Sequence, residues 1–523
     1  MNGAQSLIET LVASEVEVCF ANPGTSEMHF VAALDVVRDM RGVLTLFEGT
    51  ATGAADGYGR MAGKPAAVLL HLGPGLGNGL ANLHNARRAR TPVIVIVGDH
   101  ATYHKRYDAP LESDIDAAAG TVSGWLRRCE RAAEIGTDAA AAVAAALAPP
   151  GQVATLILPA DVSWMAVPSG GGPAAPVRAP APGKVGDDII EAAAAVLRSR
   201  ERCVLLLGGA ATRETGLLAA SRIAAATGAR LLCETFPARL ERGGGLPEVD
   251  RLAYLAEAAT SQLDGAQHLL LAGARSPVSF FAYPGRPSDL VPPGCDVHQL
   301  GSAGDDAAGA LEQLADMVAP GPARVPGPWE RPQPPVLPVG ELTGESIAQA
   351  VGALLPEGAI VCDEANTAGS WLPAATAGAP RHDWLTLTGG AIGLGLPLAT
   401  GAAVACPDRS VLCLQADGSA MYTISALWTH AREQLDITTV IFNNRSYDIL
   451  NLELQRVGAD AAGPRAKDLL DLSRPDLDFV ALATGMGVPA SRARTAQELG
   501  KQLGQALSEP GPHLIEAVIP AMF

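Results

Sequence analysis

The chain has 523 residues, 48% of them apolar, and a formal net charge of −17. That length is too great for one hydrophobic core and predicts two to four domains. The charge argues against nucleic acid or an anionic membrane surface as a partner, and the eight Cys show no close pairing, so neither a disulfide framework nor a zinc site is expected.

The first predicted element is an amphipathic helix around Leu7 to Val12, without the basic and apolar regions of a signal peptide. With no apolar stretch long enough to cross a bilayer, the expected compartment is the cytoplasm. Short apolar strands are then predicted at 17–20, 43–47, 66–71, 93–97 and 154–158. A second group follows at 203–207, 230–233 and 268–271, and a third at 359–362, 384–387, 411–414, 438–442 and 513–519. Two stretches rich in Pro, Gly and Ala, 168–183 and 320–338, read as linkers and divide the chain into domains at 1–167, 184–319 and 340–523. Strands alternating with helical stretches, and apolar along nearly their whole length, predict an α/β fold of three doubly wound parallel-sheet domains. Ligands of such sheets sit beyond the carboxyl ends of the strands, and five strand ends carry chemistry.

The strand Val411 to Leu414 leads into Asp417, Gly418 and Ser419, and the strand ending at Phe442 leads into Asn443 and Asn444, 27 residues after Asp417. Two hard oxygen ligands on neighbouring strand ends suit magnesium or calcium, and magnesium would still want phosphate oxygens. The spacing therefore points to a metal-anchored diphosphate; the plainer reading is two βα turns with a capping Asp. Glu48 follows the strand predicted to end at Phe47 and opens a helix of small residues through Gly57, Tyr58 and Arg60; by itself it could be a helix-dipole partner. Thr388 to Gly395 is a glycine-rich turn between strand and helix, compatible with a nucleotide turn or with close packing. His71 ends a strand, where a lone His is commonly structural.

Together these motifs resemble the thiamine-diphosphate-dependent enzyme family, and in particular benzoylformate decarboxylase and the acetolactate synthase large subunit. Asp417 through Trp428 and the Asn22 to Glu27 segment are similar to the decarboxylase, and Gly73, Pro74 and Gly75 to the synthase. The resemblance spans the whole chain as a pyrimidine-binding domain, a middle domain and a diphosphate- and metal-binding domain. It implies thiamine diphosphate and Mg2+ as cofactors, with FAD not expected for want of a flavin signature in 205–300.

It also implies roles. Asp417 and Asn444 would ligate the metal by side chain and Ser446 by its carbonyl. Gly418, Ser419, Asn366 and Thr367 would meet the diphosphate, and Gly390 and Ala391 the pyrimidine. Ile392 would wedge the cofactor into a bent shape, and Tyr447 would cover the thiazolium. Glu48 would share a proton with the pyrimidine N1′, Thr25 would contact the substrate carboxylate, and His71 would relay a proton. Ser26, Ala282, Tyr283, Ile449 and Leu450 would line the substrate pocket.

The sequence departs from the family twice: Ala416 stands where the metal motif has Gly, and Ala282 where the decarboxylase has a second catalytic His. The implied activity is decarboxylation or carboligation of a small-molecule 2-oxo acid through an enamine. The alternatives are an acetolactate-synthase-type carboligase and a weakly active cofactor-binding paralogue. A homodimer or homotetramer with active sites between subunits is implied, with no nucleic acid and no membrane as partner.

Overall fold

A computed structural model describes residues 1–321, 333–459 and 463–522; part of the second predicted linker therefore lies outside the described residues. The apolar runs form three sheets, and successive strands are joined by helices that cover them. In the first sheet the strands are β1 (Val18–Ala21), β2 (Arg41–Leu44), β3 (Ala66–His71), β4 (Val93–Asp99), β5 (Trp125–Arg128) and β6 (Val153–Pro159), all parallel, in the order β2-β1-β3-β4-β6-β5. The second holds β7 (Cys203–Leu207), β8 (Arg230–Cys233), β10 (Asp250–Arg251), β11 (His268–Ala272) and β12 (Asp296–Leu300), in the order β10-β8-β7-β11-β12.

The third is built from β13 (Ile360–Glu364), β14 (His382–Thr386), β15 (Val411–Ala416), β16 (Ile437–Asn443), β17 (Ala490–Ala493) and β18 (His513–Val518). Its order is β17-β18-β16-β15-β13-β14, closed by β9 (Leu240–Arg242), which reaches over from the middle of the chain. β9 pairs with β14 antiparallel, Trp384 facing Leu240, so one strand of the third sheet departs from the all-parallel expectation.

Without β9, the third sheet repeats the strand order of the first. In each, the second strand lies to one side of the first strand and the third to the other, leaving a crevice at the carboxyl ends between first and third strands. Open α/β sheets bind ligands at such switch points. Here they are the ends of β1 and β3 in one sheet and of β13 and β15 in the other.

The two sheets are held together by helices. α1 (Glu48–Ala62) follows β2, α2 (Leu72–Ala89) follows β3, and α3 (Gly395–Ala405) follows β14. α1 crosses α3 with backbone against backbone: a Cβ on Gly401 would lie 1.8 Å from the carbonyl oxygen of Ala54, and one on Gly57 2.1 Å from that of Leu398. Val68 and Leu70 of β3 share one buried core with Leu396 and Leu398 of α3 and with Val411 of β15.

Several bounds differ from expectation. β2 ends at Leu44 rather than Phe47, so a three-residue connection precedes Glu48, and β14 covers His382–Thr386. The helix expected over 423–434 is shorter, α4 (Ala426–Arg432). The strands β5, β9, β10, β12 and β17 were not expected. Each is an edge strand, and none is buried along its length. An edge strand has one paired side and a wet face, so it does not need the continuous apolar run that marks central strands. All eight Cys are free. Among the described residues no helix is long and apolar enough to cross a membrane.

Candidate active site

At the switch point of the first sheet, the residues after β1 fold into a short 3-10 turn, Thr25–Glu27, beside the end of β3. Glu27 turns inward with its side chain fully buried. Its Oε2 lies 3.0 Å from His71 Nδ1 and accepts from the Gly24 amide at 2.7 Å, while the Ser26 hydroxyl donates to Oε1. Ser26 Oγ is also 3.2 Å from His71 Nδ1. A carboxylate only accepts, so the geometry favours the proton on Nδ1 and leaves Nε2 as the working nitrogen of the half-exposed ring.

Sequence alone assigns Glu27 no role; in the fold its carboxylate packs against Gly98 of β4, where a Cβ would fall 1.8 Å from Glu27 Oε1. Thr25 is exposed. Glu48, the first residue of α1, is buried, and its Oε2 accepts from Asn78 Nδ2 at 3.0 Å.

The Asp417 turn follows β15 at the switch point of the third sheet, and the Asn443–Asn444 pair follows its neighbour β16. β15 and β16 pair with Ala416 opposite Phe442, so Asp417 and the Asn pair emerge side by side. Asp417 is buried; Oδ1 accepts from the Gly418 amide and Oδ2 from the Arg445 amide, both at 2.7 Å, and burial pushes the carboxyl up to about 6. The two Asn diverge. Asn443 donates to Glu516 at 2.8 Å, away from the loop, while Asn444 donates through Nδ2 to Asp448 at 2.9 Å. That bond fixes the carboxamide, whose Oδ1 accepts from the Ser446 amide at 3.1 Å.

Asp448 begins α5 (Asp448–Arg456), and its other oxygen, Oδ1, is buried without a hydrogen-bond donor among the described residues. The Tyr447 ring lies over Gly418, with Cε1 2.4 Å from where a Cβ would be. Ala416 has φ −73° and ψ 148°, ordinary extended backbone, so the methyl in place of the family's Gly carries no conformational strain.

The loop Thr388–Leu394 lies in front of these strands. From behind, Asn85 of α2 accepts from the Ala391 amide at 3.2 Å and donates to its carbonyl at 2.8 Å. From within, Glu364 at the end of β13 accepts from the Gly393 amide at 2.6 Å and from the Gly395 amide. Burial drives the Glu364 carboxyl up to about 7, against the pull of those amides. Ile392 is half-buried between the two anchors. Gly390, with φ +73°, supports the Phe280 ring of the second unit, whose Cζ lies 2.6 Å from where a Cβ would be.

Phe280 in turn packs with Tyr254, Phe281 and Phe236 at ring-centroid separations of 5.1, 5.0 and 5.9 Å. Ala282 is exposed. Tyr283 is buried, its hydroxyl 3.3 Å from Arg456 and its ring 4.3 Å below that guanidinium, so it bridges the second unit to α5. Ile449 is half-buried and Leu450 exposed; Asn366, at φ +52°, is exposed just beyond β13, next to half-buried Thr367.

Among the described residues no hydrogen bond or ion pair joins Glu27, Glu48 or His71 to Asp417, Asn444 or Ser446. Among the described residues no three His, Cys, Asp or Glu side chains converge as a metal cage either. A metal at Asp417 would draw on one acid, one carboxamide and a backbone oxygen, a hard donor set with positions left for phosphate. A cavity of about 840 Å³ opens beside Asn444 and Ser446, lined also by Arg445, Asn451 and Lys467. The oxygen donors and the unpartnered Asp448 oxygen fit a metal-bound diphosphate, whereas Asp417, Gly418 and Ser419 do not line this cavity.

Comparison with known proteins agrees with that geometry. Residues 1–119 match the N-terminal TPP-binding domain of thiamine pyrophosphate enzymes, and residues 367–517 the C-terminal TPP-binding domain. The chain belongs to the thiamine pyrophosphate enzyme family. Over its whole length, and the whole of the relative's, it is 66% identical to a Mycobacterium tuberculosis protein named "Putative acetolactate synthase large subunit IlvX". It is 31% identical to a benzoylformate decarboxylase of Pseudomonas aeruginosa, covering 95% of each. Among solved structures, a thiamine diphosphate-dependent 4-hydroxybenzoylformate decarboxylase of Rhodococcus jostii superposes with a TM-score of 0.86 at 26% identity, over 99% of both chains.

Proposed function

We propose that this enzyme decarboxylates a small 2-oxo acid and returns a proton to the product carbon through His71. The observation that carries this reading is the His71–Glu27 pair: a half-exposed imidazole at a sheet's switch point, oriented by a buried carboxylate. Thiamine diphosphate, when bound, supplies the electron sink for cleavage of the bond to the carboxylate.

The chain's own residues hold and orient it. Asp417, Asn444 and the Ser446 carbonyl take Mg2+, while Gly418, Ser419, Asn366 and Thr367 face the diphosphate. Gly390 and Ala391 would hold the pyrimidine, Ile392 would support it from below, and Tyr447 would cover the thiazolium. Glu48 exchanges a proton at N1′ of the pyrimidine, and Asn78 keeps its carboxylate in place. Thr25 and Ser26 receive the substrate carboxylate, and Phe280 with Ile449 and Leu450 bounds the space for its side chain. On the pattern of the thiamine pyrophosphate enzyme family, the working unit is a homodimer or a homotetramer, each site pairing Glu48 of one subunit with Asp417 of another.

A second reading, carboligation of the acetolactate synthase type, is favoured by the 66% identical relative. Incubation with thiamine diphosphate, Mg2+ and a panel of 2-oxo acids, with carbon dioxide and products read by mass spectrometry, separates the two. An aldehyde supports decarboxylation, and an acetohydroxy acid supports the synthase. Absence of both carbon dioxide and cofactor C2 deuterium exchange would sink the catalytic reading altogether. Glu48→Gln is expected to lower turnover about 100-fold or more while the cofactor stays bound, in line with the loss of one proton-transfer group.

A further inference from the structure

Glu364 is a buried carboxylate for which the mechanism above has no use. It is 2% exposed, and the groups facing it are all neutral donors: the amides of Gly393, Leu394 and Gly395 and the side chain of Gln415. A buried carboxylate without a cation is costly and persists only where several hydrogen bonds hold it. The three amides open α3, the end of a helix whose first N–H groups lack partners within the helix, so one role is to cap α3 from a neighbouring strand.

The cap does more than end a helix. β13 and β15 pair with Glu364 directly opposite Gln415. Gln415 is fully buried, and its Nε2 donates to Ser419 Oγ at 2.6 Å; Ser419 donates onward to the Ala416 carbonyl at 3.1 Å. A Cβ on Gly395 would lie 2.1 Å from Gln415 Oε1, so the glutamine is wedged between the start of α3 and the metal turn. Glu364 and Gln415 are thus buried cross-strand neighbours that meet at Gly395, Glu364 holding the loop that follows Ile392 and Gln415 the turn carrying Asp417.

We propose that Glu364 is a positioning residue that ties the Ile392 loop to the Asp417–Ser419 turn through Gln415, so that both ends of thiamine diphosphate are held at one fixed separation. This rests on the cofactor placement given above. A cofactor bound in a bent shape must have its pyrimidine rest and its diphosphate anchor held in register. Loops joined only through backbone would drift by more than the tolerance of a catalytic arrangement. The parallel register of β13 and β15 supplies the rigid base, and the Glu364–Gln415 contact spans it.

The test compares a ligand that touches both ends with one that touches the anchor alone. Binding of thiamine diphosphate and of inorganic pyrophosphate, each with Mg2+, is measured by calorimetry on the wild type, Glu364→Gln and Gln415→Leu. Glutamine keeps the shape of Glu364 but sets an NH2 against one of the amides, so one charge-assisted bond is lost. Thiamine diphosphate affinity is then expected to fall about tenfold, while pyrophosphate affinity changes less than about twofold.

Gln415→Leu leaves the cap on α3 intact and is expected to show the same selectivity for thiamine diphosphate. It serves as the sole probe if Glu364→Gln does not fold. Hydrogen exchange of residues 388–395 is expected to slow when pyrophosphate binds the wild type, and not in either variant. Equal weakening of both ligands, no weakening of either, or a loop that ignores pyrophosphate in the wild type would overturn the coupling. A wild type that binds no thiamine diphosphate would instead overturn the placement of the cofactor.

Discussion

His71 and Glu27 show how one side chain orients another. An imidazole at a strand end has two nitrogens of equal standing until something chooses between them. Glu27 makes that choice: its buried oxygens accept from Gly24 and Ser26 and leave the Nδ1 position opposite a pure acceptor. His71→Ala is expected to lower kcat about 100-fold, the usual contribution of a general acid–base group, with imidazole in the buffer restoring part of the rate. Glu27→Gln, which keeps the shape and removes the charge, is expected to cost about tenfold in kcat with KM nearly unchanged. Steady-state kinetics on the preferred 2-oxo acid check both, and a change in KM alone would reduce Glu27 to a binding role.

At the scale of elements, the crossing of α1 and α3 sets where Glu48 stands. Gly401→Ala places a methyl where a carbonyl oxygen already is, and neither backbone can rotate away as a side chain would. The expected loss is about 3 kcal/mol, at the upper end for overpacked cores, read as a lowered urea midpoint with an unchanged slope. Gly77→Ala, on α2 with open space at its Cβ position, is the control expected to change little.

The same scale shows which elements the sequence makes legible. Central strands such as β3, β4, β15 and β16 are buried on both faces and write long apolar runs. β5, β9, β10, β12 and β17 lie at edges, and polar residues serve them as well as apolar ones. β9 is the extreme case: three residues, Leu240 to Arg242, that join the third sheet by pairing with β14, about 140 residues further along the chain. No local pattern can announce a pairing that depends on how two units pack.

At the scale of the whole molecule, buried imidazoles make stability depend on pH. His430 donates from α4 toward the Leu396 carbonyl of α3, and His382 lies in β14; burial lowers each to about 4. In the unfolded chain a His takes up its proton near pH 6.5, whereas in the fold it resists until about 4. Each imidazole's contribution is therefore complete above about pH 6.5 and is lost as the pH falls from there toward 4, by on the order of 3 kcal/mol at most, while Glu364 and Asp417, raised by burial to about 7 and 6, act with the opposite sign in the same window. His430→Gln is expected to flatten that loss by roughly half, measured as urea midpoints across the window. An unchanged slope would assign the acid sensitivity to other groups.

The amino-acid sequence by itself determined the chemistry-bearing residues that follow a strand: Asp417, Asn444, Glu48 and His71 were each readable because an apolar run delivers a polar residue to its carboxyl end. It also determined three parallel-sheet units, through the alternation of apolar strands with helical stretches. Only the tertiary structure decided which residues serve them. Glu27, Asn78, Glu364 and Gln415 act through bonds to groups distant in sequence or through side chains whose direction the sequence leaves open. The divergence of Asn443 from Asn444, the ordinary backbone of Ala416 and the bridging role of Tyr283 were likewise matters of direction. A strand states that a residue reaches the sheet's edge; where its side chain points, and what it meets, is settled by the neighbouring strand and the unit packed against it.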